Sequence, residues 1–135
     1  MTTPFGPQLI GETEKTLNAL LARYLDAPEL TEPQWVTLRV ASMLDDTVDR
    51  DRLVAAVSDR AHVANAARLV DELTARGLLD DGRLSTDGHA LLDRLQGAIA
   101  DDTRAIFGEL SDEDVAAAER VLNEIVSRAR VVLTR

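Results

Sequence analysis

The chain contains no cysteine, and this absence removes several kinds of chemistry at once. Disulfide bonds, thiolate zinc sites, cysteine nucleophiles and thiol redox sensing all need a sulfur that the sequence lacks. Aromatic residues make up only 3% of the chain, and its apolar residues are mainly Leu, Val and Ala. Because this mixture, with few glycines and prolines, favours helices over strands, we predict a mainly α fold.

Long apolar runs are also missing. None approaches the ~20 residues that a membrane span needs, and the residues before Gly11 show neither the basic nor the apolar part of a secretory signal. We therefore expect a cytoplasmic protein. A length of 135 residues with 45% hydrophobic content is enough for one compact domain with a real core.

Positive charge is scarce, since the net charge is −9 and Lys15 is the only lysine. Nucleic-acid binding depends on basic patches that displace counterions from phosphates, so this acidity argues against it at first sight. The distribution of charge matters more than the total. Segment 45–88 holds ten acids and six arginines, but no acid lies between Arg60 and Leu69.

Helical periodicity and capping signals divide the first half of the chain into four helices. The first is expected to end before Pro28, and Thr31 with Gln34 predicts a capping box at the start of the second. A short helix is expected from about Arg50 to Val57, with Ser58-Asp59 ending it and capping the next. That fourth helix is predicted from about His62 to Ala75. Its buried stripe is Val63, Ala66, Val70 and Leu73.

The second half begins with a hairpin. Asp81-Gly82 is a tight-turn signal between two very short apolar segments, Leu78-Leu79 and Leu84. A long helix is predicted from Thr86, and Ser111 followed by acids predicts the cap of a last, strongly apolar helix.

Four segments in this order resemble the MarR family of winged helix-turn-helix transcriptional regulators. They are Leu30–Trp35, Arg68–Leu79, Leu84–Gly88 and Leu110–Asp114, which look like the start of the family's second helix, its recognition helix running into the wing, the wing exit, and the start of the final helix. The resemblance covers roughly Leu9 to Leu133. It implies a mainly α winged helix-turn-helix fold with a very short two-stranded wing.

The resemblance also implies an organisation and a function. We expect a single MarR-like domain over residues 1–135, with the winged-helix lobe at about 31–86 and dimerisation helices at about 8–26 and 87–135. The implied function is that of a ligand-responsive repressor that binds double-stranded DNA as a homodimer. Its operator would be a pseudo-palindrome with half-sites about one helical turn apart. Regulation by a small-molecule effector is typical of the family. We expect no enzymatic activity, no cofactor and no membrane partner.

Five residues are the predicted DNA contacts: Arg60, His62, Asn65, Arg68 and Arg83. If the apolar stripe of the fourth helix faces the core, its opposite side presents the imidazole, amide and guanidinium of this set. Arg can form two hydrogen bonds with guanine and Asn two with adenine, so Arg68 and Asn65 are predicted to contact bases with His62 assisting. Arg60 and the wing residue Arg83 are predicted to contact the backbone. Such side chains are also ordinary on any exposed helix.

Two departures from the family keep an alternative open. The wing is reduced to Asp80, Asp81, Gly82 and Arg83, one cation beside two anions, and segment 45–88 is acidic overall. A winged-helix dimer with this surface could instead be a protein–protein interaction module that no longer binds DNA.

Other candidate sites are weaker. Tyr24, Trp35 and Met43 could line an effector pocket, although filling the core is the simpler interpretation. His62 and His89 lie on different predicted helices, so solvated imidazoles are expected rather than a metal site. The pairs Asp45-Asp46, Asp80-Asp81 and Asp101-Asp102 are interpreted as caps and turns, because no catalytic partner accompanies them.

Overall fold

The structure, a computed structural model, describes residues 2–135. These residues form six helices and one two-stranded sheet. The elements are α1 (Pro7–Leu25), α2 (Glu32–Met43), α3 (Arg50–Ala61), α4 (Ala66–Ala75), β1 (Leu79–Asp80), β2 (Arg83–Leu84), α5 (Thr86–Phe107) and α6 (Asp112–Leu133). The chain divides into two compact units, one extending to Ile99 and the other Ala100–Arg135, and each is described by itself. The predicted mainly α winged-helix fold is confirmed.

The capping box predicted at the start of α2 is confirmed atom by atom. The Thr31 hydroxyl accepts a hydrogen bond from the Gln34 amide at 3.2 Å, and the Gln34 side-chain oxygen accepts one from the Thr31 amide at 3.0 Å. Two of the otherwise unpaired N–H groups at the helix start are thereby satisfied. The side chain of Gln34 is fixed at this end of α2.

The boundary between α3 and α4 differs from the prediction. Ser58 and Asp59 do not end α3, which continues through Ala61, and α4 begins at Ala66 instead of near His62. The terminating residue is His62, which adopts a left-handed conformation with φ 51° and donates its amide to the Ser58 carbonyl at 3.1 Å. Histidine is one of the few non-glycine types enriched in that conformation. The periodicity of the apolar residues did not reveal this break.

The core of the first unit lies where α2, α3 and α4 pack on one another. Leu38, Leu53, Val57, Val70 and Leu73 are fully enclosed there. The predicted stripe on α4 is confirmed for Ala66, Val70 and Leu73, which are buried, while Val63 is partly buried in the turn before the helix. This burial fixes which side of α4 remains exposed.

The wing is a minimal hairpin, as predicted. Leu79 pairs with Leu84 and Asp80 with Arg83. Asp81 and Gly82 both have positive φ, which is the backbone of a type I′ turn. Gly82 is buried, and a Cβ atom built on it would overlap the backbone of Asp49 and Arg50. The tip of the wing is therefore seated on the start of α3.

Two glycines allow this seating to be measured. Gly77 and Gly82 have nearly the same φ, +77° and +82°, but a Cβ at Gly77 would meet nothing within 4 Å. Gly77→Ala should lower the free energy of unfolding by about 1–2 kcal/mol, because alanine is strained in the left-handed conformation. Gly82→Ala has the same backbone strain, and its Cβ atom also overlaps the start of α3. It should therefore lower the free energy of unfolding by about 2 kcal/mol more than Gly77→Ala does. Urea unfolding of both variants measures the difference, and equal losses would contradict the close contact.

The second unit contains α6, which begins as predicted. The Ser111 hydroxyl accepts a hydrogen bond from the Asp114 amide at 3.1 Å, and three acids occupy the first turn. No residue of α6 is buried. Its exposed large apolar residues are Val115, Val121, Leu122, Ile125, Val126, Val131, Val132 and Leu133. Each helix within residues 2–135 is too short or too polar to cross a bilayer.

Candidate nucleic-acid interface

The exposed side of α4 is a surface of small and charged residues. We call the exposed positions Ala67, Arg68, Asp71, Thr74 and Ala75 the outer face of α4. Two of them are alanines, which would allow the helix backbone to approach a groove closely. The Thr74 hydroxyl donates to the Val70 carbonyl at 2.7 Å. Arg68 is the single cation of this face.

The predicted DNA contacts occupy a continuous stretch and one separate position. Arg60 lies in the last turn of α3, His62 caps that helix, and Asn65 occupies the cap position before α4. The fourth residue of this stretch, Arg68, is the one that lies within α4. The expectation that His62 and Asn65 project from the same helix as Arg68 is therefore wrong. All four are exposed, and the side chains of Arg60, His62 and Asn65 make no hydrogen bond or ion pair with residues 2–135.

Arg68 is bound on one edge and free on the other. Its Nε donates to Glu72 Oε1 at 3.0 Å, one turn along α4. The other oxygen of that carboxylate, Oε2, accepts a hydrogen bond from Gln34 Nε2 at 3.3 Å. Neither terminal amino group of Arg68 has a partner in the part of the chain that the structure describes. The guanidinium therefore presents two N–H-bearing nitrogens outward.

A second ion pair neutralises the acid of the outer face. Arg50, at the start of α3, contacts both carboxylate oxygens of Asp71, with Nε–Oδ1 2.8 Å and NH2–Oδ2 3.0 Å. The hydrogen bonds and charge of Arg50 lower the pKa of Asp71 below its usual value. Asp71 thus stays ionised near neutrality, and the pair weakens only as the pH falls through that lowered pKa.

Two further arginines near this lobe are bonded to backbone carbonyls. Arg83 NH1 donates to the Asp46 carbonyl at 3.0 Å, which ties the wing to the turn between α2 and α3. Arg76, just past α4, donates to the carbonyls of Pro28 and Glu29 at 2.8 and 3.0 Å. Arg83 remains exposed on β2, next to the acids of the wing tip.

A cleft of about 550 Å³ lies between α1, α2 and the end of α3. Of the predicted effector residues, Trp35 and Met43 line it, while Tyr24 is not among the lining residues and packs against the core instead. Trp35 is buried, whereas Met43 is 62% exposed. Arg39 and Arg60 also line the cleft, so it reaches the helix end that leads into α4. Sequence analysis did not single out Arg39.

Metal coordination finds no support in the side-chain arrangement. His62 and His89 are both exposed, and residues 2–135 hold no group of three or more His, Asp or Glu side chains able to bind a metal ion. His89 lies instead on a separate cleft beside the wing, with Asp45, Asp46 and Asp80.

Comparison with known proteins places this geometry in a structural family. No protein-family model matches the chain, and no curated protein matches it by sequence. Solved structures do match. The PcaV transcriptional regulator of Streptomyces coelicolor, in complex with its natural ligand, superposes with a TM-score of 0.65 at 22% identity, covering 96% of this chain and 99% of that one. The chain has the winged-helix fold of the MarR regulators.

Two further structures have the same fold. A MarR family protein from Bacillus stearothermophilus matches at a TM-score of 0.56 and 21% identity, covering 94% of this chain and 99% of that one. A MepR mutant from S. aureus bound to an oligodeoxyribonucleotide matches at 0.52 and 15%, covering 93% and 99%. The resemblance to the MarR family found in the four sequence segments is confirmed at the level of the fold.

Within this MarR-type fold, the residues that sequence analysis missed are the partners of the arginines. Gln34 was recognised as a capping residue, but its second contact lies 38 residues away on α4. The Arg50–Asp71 pair likewise joins positions 21 residues apart. Helical periodicity identifies neighbours on one helix, and it carries no information about which polar side chains of two helices meet.

Proposed function

We propose that this protein is a sequence-specific DNA-binding transcriptional regulator. The observation that carries the proposal is the outer face of α4: a winged helix exposes a helix with small residues and one guanidinium whose two terminal nitrogens are unpaired within residues 2–135. That pair of donors matches the O6 and N7 acceptors of guanine in the major groove. One solved structure of the same fold is bound to an oligodeoxyribonucleotide.

The proposed contacts follow from position. Arg68 and Asn65 contact bases, His62 assists, and Arg60 and Arg83 contact the backbone. Asn65 supports this because its side chain makes no capping bond to α4, which leaves the amide available. Since His62 and Asn65 precede α4, they would meet the DNA from the α3–α4 turn, beside the helix and not along it.

We propose that the protein acts as a homodimer. Eight large apolar side chains of α6 are exposed, which is more than a single solvated helix carries without a partner. The occupant we propose is α6 of a second copy, with the terminal helices as the dimerisation region. A dimer carries two α4 helices, which suits a pseudo-palindrome with half-sites about one turn of DNA apart.

We further propose that a small molecule controls DNA binding, with repression as the default state. The cleft lined by Trp35 and Met43 supports this, because the same cleft is lined by Arg60 in the turn that leads to α4. The PcaV structure, which has this fold, contains its natural ligand. A ligand in the cleft would contact Trp35 and Met43, and also Arg60, which is one of the proposed DNA contacts.

The test is capture of genomic DNA by the purified protein, followed by mobility-shift assays on the recovered sequence at low and moderate salt. A regulator retards one short sequence with dyad symmetry and binds a scrambled sequence much more weakly. Absence of any preferred sequence at both salt concentrations would refute the proposal.

One observation favours a different function. The wing tip presents Asp80 and Asp81 to solvent and is folded onto α3, so the element that usually approaches DNA is acidic and short. A protein–protein interaction module with a basic partner fits this surface. Such a module would bind no DNA selectively in the capture experiment, and sequence-specific retardation would exclude it.

Arg83 allows the backbone contact to be tested separately. Arg83→Ala should weaken binding to specific and scrambled DNA by the same factor. It should lower the salt slope of the binding constant by about one per copy, or about two for the proposed dimer. Arg23→Ala, which removes an exposed arginine of α1, is the control and should leave the slope unchanged. An unchanged slope in Arg83→Ala would restrict this residue to holding the Asp46 carbonyl.

A further inference from the structure

A continuous chain of hydrogen bonds connects the start of α2 to the guanidinium on the outer face of α4. The Thr31 amide donates to Gln34 Oε1 at 3.0 Å, Gln34 Nε2 donates to Glu72 Oε2 at 3.3 Å, and Arg68 Nε donates to Glu72 Oε1 at 3.0 Å. Gln34 and Glu72 are partly buried in the middle of this chain, and Arg68 at its end is exposed. The side chain of Glu72 is 39% exposed and that of Arg68 is 77% exposed. The carboxylate is therefore the anchored partner and the arginine is the projecting one.

The division of bonds at each group is specific. Glu72 uses one oxygen for Gln34 and the other for Arg68, so neither oxygen faces solvent without a donor. Arg68 is held through Nε, which leaves its two terminal nitrogens for another molecule. End-on contact with guanine needs those two nitrogens and does not need Nε.

We propose that Glu72, held by Gln34, is a positioning residue that fixes the Arg68 guanidinium for end-on contact with one guanine. This inference rests on the proposed function. A long arginine side chain loses rotamer freedom when it binds, and anchoring Nε beforehand reduces that loss. An anchored guanidinium also selects the planar two-acceptor edge of guanine, whereas an unanchored one can follow any nearby phosphate.

Two variants of Glu72 separate its charge from its anchoring effect. Glu72→Ala removes both. Glu72→Gln removes the charge and replaces one acceptor oxygen with an NH2 group, so it can keep the bond from Arg68 Nε but not also the bond from Gln34 Nε2. Both variants should raise affinity for unrelated DNA, because an anion next to the phosphates is lost. The preference for guanine at one operator position should fall about fivefold in Glu72→Ala, the lower end of one good base contact. It should fall less in Glu72→Gln, which keeps the direct bond to Arg68 Nε but loses the bond from Gln34.

A control and a measurement without DNA complete the test. Glu124→Ala breaks a pair of the same kind on α6, in which Arg128 Nε donates to Glu124 Oε1 at 2.8 Å, and should leave the guanine preference unchanged. In the free protein, the ¹⁵N-detected Nε–H resonance of Arg68 should be protected from solvent exchange in the wild type and, to a smaller extent, in Glu72→Gln. It should exchange rapidly in Glu72→Ala.

Equal guanine preference in Glu72→Ala and Glu72→Gln would overturn the positioning role while leaving the regulator function intact. An Arg68 Nε–H that exchanges rapidly in the wild type would overturn it as well. A wild-type protein with no preferred DNA sequence would instead remove the proposed function and this inference together, so the two failures are distinguishable.

Discussion

Leu122→Asp is expected to convert the proposed dimer into a monomer and to abolish binding to the proposed palindromic operator. Leu122 lies in the middle of α6 and is 44% exposed in the single chain. If a second copy covers it, each protomer loses about 2 kcal/mol of apolar burial in the variant. Two protomers lose about 4 kcal/mol, so the dissociation constant should rise nearly a thousandfold. Burying the new carboxylate would add to that loss.

Sedimentation velocity at micromolar concentration measures the change directly. Ser127→Asp is the matched control because it adds the same charge to α6. Five residues of α-helix rotate a side chain by about 140°, so Ser127 lies on the side of α6 that faces away from Leu122. It should remain dimeric and should still bind DNA. A dimeric Leu122→Asp would show that the apolar side of α6 is not the interface.

The second large effect is expected for Arg68→Ala. If Arg68 contacts guanine as proposed, losing its two hydrogen bonds should lower operator affinity by about 1–3 kcal/mol per half-site and relax the preference at one base pair of each half-site. Binding to scrambled DNA should change much less, because that binding depends on total phosphate contacts. Fluorescence anisotropy with a panel of single-base operator variants measures both quantities.

Arg128→Ala is the control for Arg68→Ala, because it also removes an arginine that is paired through Nε with a glutamate four positions away. Because Arg128 lies on the proposed dimerisation helix, sedimentation velocity should first show that the variant is still dimeric. Its operator affinity should then match that of the wild type. Unchanged base preference in Arg68→Ala would transfer the role of principal base contact to Asn65 or to another residue of the α3–α4 turn.

The elements with strong local signals were predictable from the sequence. The Thr31–Gln34 capping box, the Asp81-Gly82 turn and the Ser111 cap each depend on residues within three positions of one another, and all three are present. The stripe of α4 was predictable because a helix that packs on a core repeats its apolar residues at a fixed period.

The α3–α4 junction could not be predicted for a physical reason. Ser58-Asp59 is a common helix cap, but both residues are also tolerated inside an exposed helix turn, and Val57 before them is buried either way. The break depends on one left-handed residue, His62, and that conformation leaves no periodic trace in the sequence. The predicted contacts His62 and Asn65 were therefore assigned to the wrong element.

The pairing of arginines was not predictable either, and it has a consequence for how such a regulator would find its target. Arg50 is engaged by a carboxylate, Arg76 and Arg83 donate to carbonyls, and Arg68 is held through one edge. Hydrogen bonds to neutral carbonyls leave Arg76 and Arg83 charged. The ten acids of segment 45–88 nevertheless outnumber its six arginines, so attraction to phosphates, and with it sliding along bulk chromosomal DNA, would be weak. Few copies would then be sequestered by the vast excess of non-target sites, and a small number of molecules per cell would suffice to occupy one promoter.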